Sequence, residues 1–170
     1  RTEYVTDTTP ATHYSEKERA NALALTANSD CAEFYNVSIL SSQDTLGYNG
    51  QHTARAYFKD CTIGGNVDYI CGGGKMIFDS CTLELLAYSD RDNRAGYITA
   101  AKTNNPYLFR DCEVTVHKTG EYSTTAYYGR PWLSTGDNDE DVSVIFINTK
   151  TNGYIVDTGW AAWGGNFTDI

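Results

Sequence analysis

Two aspartates sit where carboxylate chemistry would be possible. Asp68 lies in Gly64-Gly65-Asn66-Val67-Asp68-Tyr69-Ile70-Cys71-Gly72-Gly73-Gly74, a short apolar run walled by glycines, five in eleven residues. Such a backbone turns sharply and lets a large ligand lie close to it. Asp44 lies in Ser41-Ser42-Gln43-Asp44-Thr45-Leu46. Two carboxylates brought side by side cannot both ionise freely, so one is pushed up to serve as an acid while the other stays charged. That division is what acid/base and nucleophilic chemistry require. Taken alone, the Asp68 segment reads equally well as an edge strand with a solvated aspartate, so the case rests on whether the fold brings the two together.

The elements that would position them are marked by a repeat. Phe34-Tyr35-Asn36-Val37-Ser38-Ile39, Phe58-Lys59-Asp60-Cys61-Thr62-Ile63, Phe78-Asp79-Ser80-Cys81-Thr82-Leu83, Phe109-Arg110-Asp111-Cys112-Glu113-Val114 and Phe146-Ile147-Asn148-Thr149-Lys150-Thr151 share one pattern, at spacings of 24, 20, 31 and 37 residues. Residues three apart on a straight strand face opposite ways, yet the Phe and the Cys or Val both seek the interior. A bend at Asn36, Asp60, Ser80, Asp111 or Asn148 resolves the conflict, since these residue types form turns and several tolerate the left-handed region. Beyond the bend, Cys61 and Ile63, Cys81 and Leu83, and Cys112 and Val114 alternate as an inward face. Each copy is one corner of a coil.

Coils of this length with a shared corner and no long helical periodicity predict an all-β parallel solenoid. An antiparallel sandwich would need hairpin turns every 8 to 12 residues, and only Asn49-Gly50 and Asn152-Gly153 offer them. Varying repeat lengths place loops at 87–95, 117–126 and 134–141. Equivalent residues on successive rungs stand about 4.8 Å apart. Asp44 is 14 residues before Phe58 and Asp68 is 10 before Phe78, so the carboxylates are expected on adjacent rungs of one sheet.

The 170 residues suit a single domain, and the net charge of -9 argues against nucleic acid or an anionic membrane as partner. No stretch of 18 apolar residues occurs that would span a bilayer. The chain begins at Arg1 without a charged-then-apolar leader, so the segment does not report export directly. The five cysteines, Cys31, Cys61, Cys71, Cys81 and Cys112, contain no CxxC pair, and His13, His52 and His117 are scattered, a poor pattern for zinc. The cysteines are expected in an internal column as small buried hydrophobes rather than cross-links. Asn36 and Asn166 begin glycosylation sequons; Asn36, in the corner column, is expected bare.

Gln43-Asp44-Thr45-Leu46, Gly65-Asn66-Val67-Asp68-Tyr69-Ile70 and Gly129-Arg130-Pro131-Trp132 resemble, in order, the signature segments of the pectin methylesterases. Asn21-Ala22-Leu23-Ala24-Leu25 is similar to a fourth such segment and Tyr97-Ile98-Thr99-Ala100-Ala101 to a fifth. The resemblance runs from about residue 15 to Trp163. It implies a right-handed parallel β-helix, one domain over 1–170 that forms the catalytic middle of a longer domain and lacks some terminal coils. It implies hydrolysis of the methyl esters of pectin outside the cell, at the cell wall, by a monomer without metal or cofactor. Asp68 would be the nucleophile on the ester carbonyl. Asp44 would protonate the departing methanol and then activate water. Arg130 would hold the Asp68 carboxylate charged and oriented. Gln43 would donate to the developing oxyanion, and Asn21, where the family carries a second glutamine, would do so with a shorter arm. Trp132, Tyr69 and Tyr128 would offer flat faces to sugar rings.

Cys71 replaces an aromatic residue usual in the family. With no histidine nearby in sequence, a reactive-thiol role is disfavoured. Trp160 and Trp163 are expected to pack at the last rung. Two alternatives remain: another pectin-degrading β-helix enzyme, a lyase or a glycosidase, and an inactive carbohydrate-binding β-helix. A calcium cluster or a carboxylate pair astride the glycosidic bond would favour the former. Neither accounts for Gln43 beside Asp44 together with Arg130, and no GxSxG elbow suggests a serine esterase.

Overall fold

The computed structural model describes residues 25–27, 29–48, 54–86, 95–102, 104–117, 125–133 and 142–163. Fourteen strands follow one another with no helix among these residues: β1 Leu25–Ala27, β2 Ala32–Tyr35, β3 Ser38–Leu40, β4 Leu46–Tyr48, β5 Arg55–Lys59, β6 Thr62–Gly65, β7 Ile70–Gly72, β8 Lys75–Asp79, β9 Thr82–Leu85, β10 Gly96–Ala101, β11 Tyr107–Arg110, β12 Glu113–Val116, β13 Ala126–Gly129 and β14 Val144–Ile147. The chain visits three sheets in rotation, so every neighbour is one coil away and every pairing is parallel. The sheet orders are β1-β4-β7-β10-β13, β14-β11-β8-β5-β2 and β12-β9-β6-β3. This is a parallel β-helix.

The Phe corners align as the repeat demands. Phe34, Phe58, Phe78, Phe109 and Phe146 pair in register across the second sheet. Their rings stack with centroids 4.7, 4.9, 4.5 and 4.4 Å apart, each gaining the attraction of a near-parallel pair beyond its buried area. The bend after each Phe is made by a residue of positive φ: Asn36 55°, Asp60 53°, Ser80 54°, Asp111 55° and Asn148 51°. Among residues that carry a Cβ, short polar ones reach this region at least cost. The third sheet begins beyond the bend, with Ile39, Ile63, Leu83 and Val114 in register and buried.

Cys61, Cys81 and Cys112 line the inside of that corner, all free and buried. Each thiol donates to the Phe carbonyl of the coil before it, Cys61 to Phe34 at 3.5 Å, Cys81 to Phe58 at 3.5 Å and Cys112 to Phe78 at 3.6 Å. Two cysteines depart from the expected column. Cys31 is exposed, because it precedes the first Phe rather than following it. Cys71 is buried in β7, in the first sheet. Asn36 is exposed at its corner. Most of the expected loops at 87–95, 117–126 and 134–141 lie outside the described residues, and Ala126 already belongs to β13. Among the described residues no helix is long and apolar enough to cross a membrane.

Candidate active site

The first sheet carries the site. Leu46 pairs with Ile70 and Gly47 with Cys71, while Gln43 bridges Val67. Asp44 and Asp68 therefore occupy equivalent places on adjacent rungs, about 4.8 Å apart along the coil axis. The ladder is pinned on both sides of them: the Asp44 N–H donates to the Val67 carbonyl at 3.2 Å and the Leu46 N–H to that of Tyr69 at 2.8 Å. Both aspartates have positive φ, 52° at Asp44 and 50° at Asp68. Backbone in this region costs on the order of 1 kcal/mol and persists where surroundings impose it. Here the bend turns the neighbouring Tyr69 inward.

Arg130 follows β13, two rungs away. Its N–H donates to the Thr99 carbonyl at 3.0 Å. The side chain reaches back across β10 and grips Asp68 through two nitrogens: Nε donates to Oδ1 at 3.0 Å and Nη2 to Oδ2 at 2.7 Å. This is the paired, charge-assisted geometry that a guanidinium makes best. The Tyr97 ring centroid lies 4.2 Å from the Arg130 guanidinium carbon and the Trp163 centroid 4.7 Å from it. The cation is thus held by a carboxylate and by two aromatic surfaces.

The electrostatics separate the two acids. Burial lifts Asp68 above the ordinary carboxylate value, and the bonds and charge of Arg130 oppose the lift. Burial raises Asp44 too, the Asp68 carboxylate adds to the rise, and Arg130 offsets it from a distance without bonding. Arg130 bonds to Asp68 and not to Asp44, so only the Asp68 anion is held by a paired guanidinium. Cys71 is pushed up to about 12 by burial first, then by Asp44 and Asp68. It is inert rather than nucleophilic.

Of the residues singled out by sequence, the structure brings together Asp44, Asp68 and Arg130. Gln43 stands next to Asp44 in the same rung, and Trp132 lies two residues beyond Arg130. Asn21 lies outside the described residues. Tyr69 does not offer a sugar platform: it is fully buried, its hydroxyl without a described partner, because the bend at Asp68 points it into the core. Tyr128 does not either. On β13 it faces inward, against Phe146 at 4.6 Å and Trp160 at 5.6 Å, closing the end of the Phe stack. Trp160 packs there as expected, but Trp163 belongs to the site, beside Arg130 and stacked at 6.3 Å from Trp132.

Sequence reasoning missed Tyr97 and Tyr127. Tyr97 pairs with Tyr127, and its N–H donates to the Asn66 carbonyl at 2.9 Å, which sets these tyrosines on the rungs beside the Asp68 bend. Their rings stack at 5.3 Å. The signal was available in Tyr97-Ile98-Thr99-Ala100-Ala101, the segment already singled out, whose first residue is aromatic.

The outer face of this parallel β-helix thus carries an arginine-braced aspartate beside a second, raised aspartate. The sequence model of the pectinesterase family matches residues 6–169, and the chain belongs to that family. It is 36% identical over 155 residues to the probable pectinesterase 29 of Arabidopsis thaliana, covering 88% of this chain and 42% of that protein. Among solved structures it is similar to the pectin methylesterase of Aspergillus niger, with a TM-score of 0.66 and 28% identity over 82% of this chain and 43% of the other. It is also similar to a pectin methylesterase in complex with a hexasaccharide, with a TM-score of 0.61 and 25% identity over 91% of this chain and 52% of that one. The chain spans about two fifths to one half of the length of these relatives.

Proposed function

We propose that this chain forms the catalytic face of an enzyme that hydrolyses the methyl esters of pectin outside the cell, releasing methanol. The observation that carries the reading is the Asp68 carboxylate held by Arg130 at 2.7 and 3.0 Å, one rung from an aspartate raised by burial. The ionised Asp68 attacks the ester carbonyl, and the tetrahedral oxyanion meets the Gln43 amide, a donor of the kind commonly worth about 3 kcal/mol. Asp44 gives its proton to the leaving methoxide as the acyl-enzyme forms. It then takes a proton from water, whose attack frees the galacturonate acid and restores Asp68. Trp132 and the Tyr97–Tyr127 pair flank this centre and suit the apolar faces of pyranose rings. The sugar-bearing relative and the family support pectin as the substrate class, and a cell-wall polymer as substrate supports work outside the cell. The protein acts as a monomer on one polymer chain, with neither metal nor cofactor in the scheme.

Methanol release from highly methylated pectin tests it, measured for the protein and for Asp68→Asn. The expected result is release that the substitution reduces by roughly 10³-fold or more. An unsaturated product absorbing in the ultraviolet, formed without methanol, would identify a lyase and overturn the reading.

A further inference from the structure

Asn36 opens the sequence Asn36-Val37-Ser38, an asparagine with a hydroxyl two residues on and no proline between, the acceptor pattern for an N-linked glycan. Its place in the corner column would argue for a bare side chain if that column were enclosed, and it is not. Asn36, Asp60, Ser80, Asp111 and Asn148 are all exposed. Asp60, Ser80 and Asp111 are so although β5, β8 and β11, which lead into them, each have a neighbouring strand on both sides. The exposure of Asn36 therefore belongs to the corner and does not depend on what stacks against its coil.

Within the column Asn36 is also the residue with room. Lys59 pairs with Asp60 and Asp79, and Arg110 with Asp79 and Asp111, so the middle corners are ringed by ion pairs. Asn148 donates its amide to Asp111. The backbone N–H of Asn36 donates to the Lys59 carbonyl at 2.9 Å, while its carboxamide has no partner among the described residues. Tyr35 precedes it, in the place that Lys59, Asp79 and Arg110 take on the next rungs. That ring is 56% exposed, an apolar face on which a pyranose can lie. Ser38, the third residue of the pattern, is exposed too. A bulky, hydrated substituent belongs at such a surface position.

We propose that Asn36 carries an N-linked glycan. The Nδ2 nitrogen displaces a lipid-linked pyrophosphate from the first sugar of an oligosaccharide: an N–C bond forms at the anomeric carbon, the C–O bond to pyrophosphate breaks, and the amide gives up one proton as the pyrophosphate leaves on its lipid. Transfer of this kind takes place on the emerging chain, and the part of the fold is to leave the product room. The corner joins the second and third sheets, while Asp44, Asp68 and Arg130 flank strands of the first, so the glycan clears the face that the proposed chemistry uses. The inference goes beyond that chemistry and shares with it only passage out of the cell.

The test uses the full chain, directed into the secretory pathway of a eukaryotic cell by a cleavable leader, with Asn166→Gln removing the second acceptor sequence. An amidase that releases N-glycans turns the acceptor asparagine into aspartate, which heavy-oxygen water marks for peptide mass spectrometry. The mark is expected at residue 36, in protein taken from the cells and from the medium alike. Ser38→Ala should lose it together with the slower gel migration of the glycoprotein, and Ser38→Thr should keep both. Asn36 recovered unmarked from the parent chain, or a mark that survives Ser38→Ala, overturns the inference. An unmarked Asn36 in a protein that releases methanol from pectin leaves the esterase reading standing, and a marked Asn36 in one that releases none leaves the glycan standing.

Discussion

Asp44 and Asp68 differ in what they touch, and their pH behaviour follows from that difference. Attack needs Asp68 ionised, so kcat/KM climbs as pH rises through its pKa. Departure of methanol needs Asp44 protonated, so the rate falls again as pH rises through the pKa of Asp44. Both lie above the ordinary 3.8, which places the two limbs of the bell above the usual carboxylate range. A pH–rate profile checks this, and a rising limb below 3.8 would contradict it. Stability carries the same shift with its own sign. A carboxyl raised in the folded state costs stability as pH rises from its unfolded value through its folded one. Asp44→Asn keeps a residue that tolerates positive φ and removes that cost, so it should abolish turnover yet raise Tm by about 1–2 °C at pH 7 and not at all near pH 3, the gain being small because Asp44 is only partly buried. Tyr69 yields a sharper contrast. With its hydroxyl buried and unpartnered among the described residues, Tyr69→Phe should gain roughly 1 kcal/mol of stability and leave KM for pectin unchanged. A loss of affinity would restore Tyr69 as a sugar platform.

At the scale of the strand, the site depends on how closely β13 approaches β10. Gly129 stands where an added Cβ would lie 1.9 Å from the Thr99 Oγ1 and 2.6 Å from its carbonyl oxygen. The second of these is backbone and cannot swing aside. Gly129→Ala must therefore separate the strands just where Arg130 departs to reach Asp68. A displacement of even 1 Å at a positioned catalytic group costs on the order of 10²-fold, so kcat should fall by about that factor while thermal unfolding remains a single transition. Full activity in the variant would show that Arg130 tolerates the shift. This strand geometry also sets how far the sequence could be read. The Phe corner was legible because its two apolar residues, three apart, force a bend that only a few residue types make well. The row outside the first sheet was less so. Asp44, Asp68, Tyr97 and Tyr127 stand 14, 10, 12 and 19 residues before their Phe corners, since the intervening turns differ in length. Counting from the corner therefore aligned the aspartates only approximately and hid the tyrosines. Trp163 escaped for a related reason: pattern gives no direction to a ring beyond the last strand, and only the fold shows it returning to Arg130.

For the molecule as a whole, coiling turns sequence repeats into columns, and the columns decide which groups water can reach. The same stacking that sets two aspartates side by side on the outer face sets Cys61, Cys81 and Cys112 one above another inside. No local opening of an exposed turn frees a thiol whose neighbours above and below belong to other coils. Cys71 is shut in separately, beneath the site. Among the five cysteines only Cys31 is exposed, next to Asp30 and Arg55 rather than under a coil. A thiol reagent added to the native protein should therefore titrate one cysteine quickly and four slowly, the slow phase matching the rate of global unfolding. A reductant should not move Tm, since none of the five is cross-linked. If the three corner thiols instead reacted one after another at distinct rates, the coils would be opening singly, and the aspartates on their outer face would lose the fixed spacing that the chemistry needs.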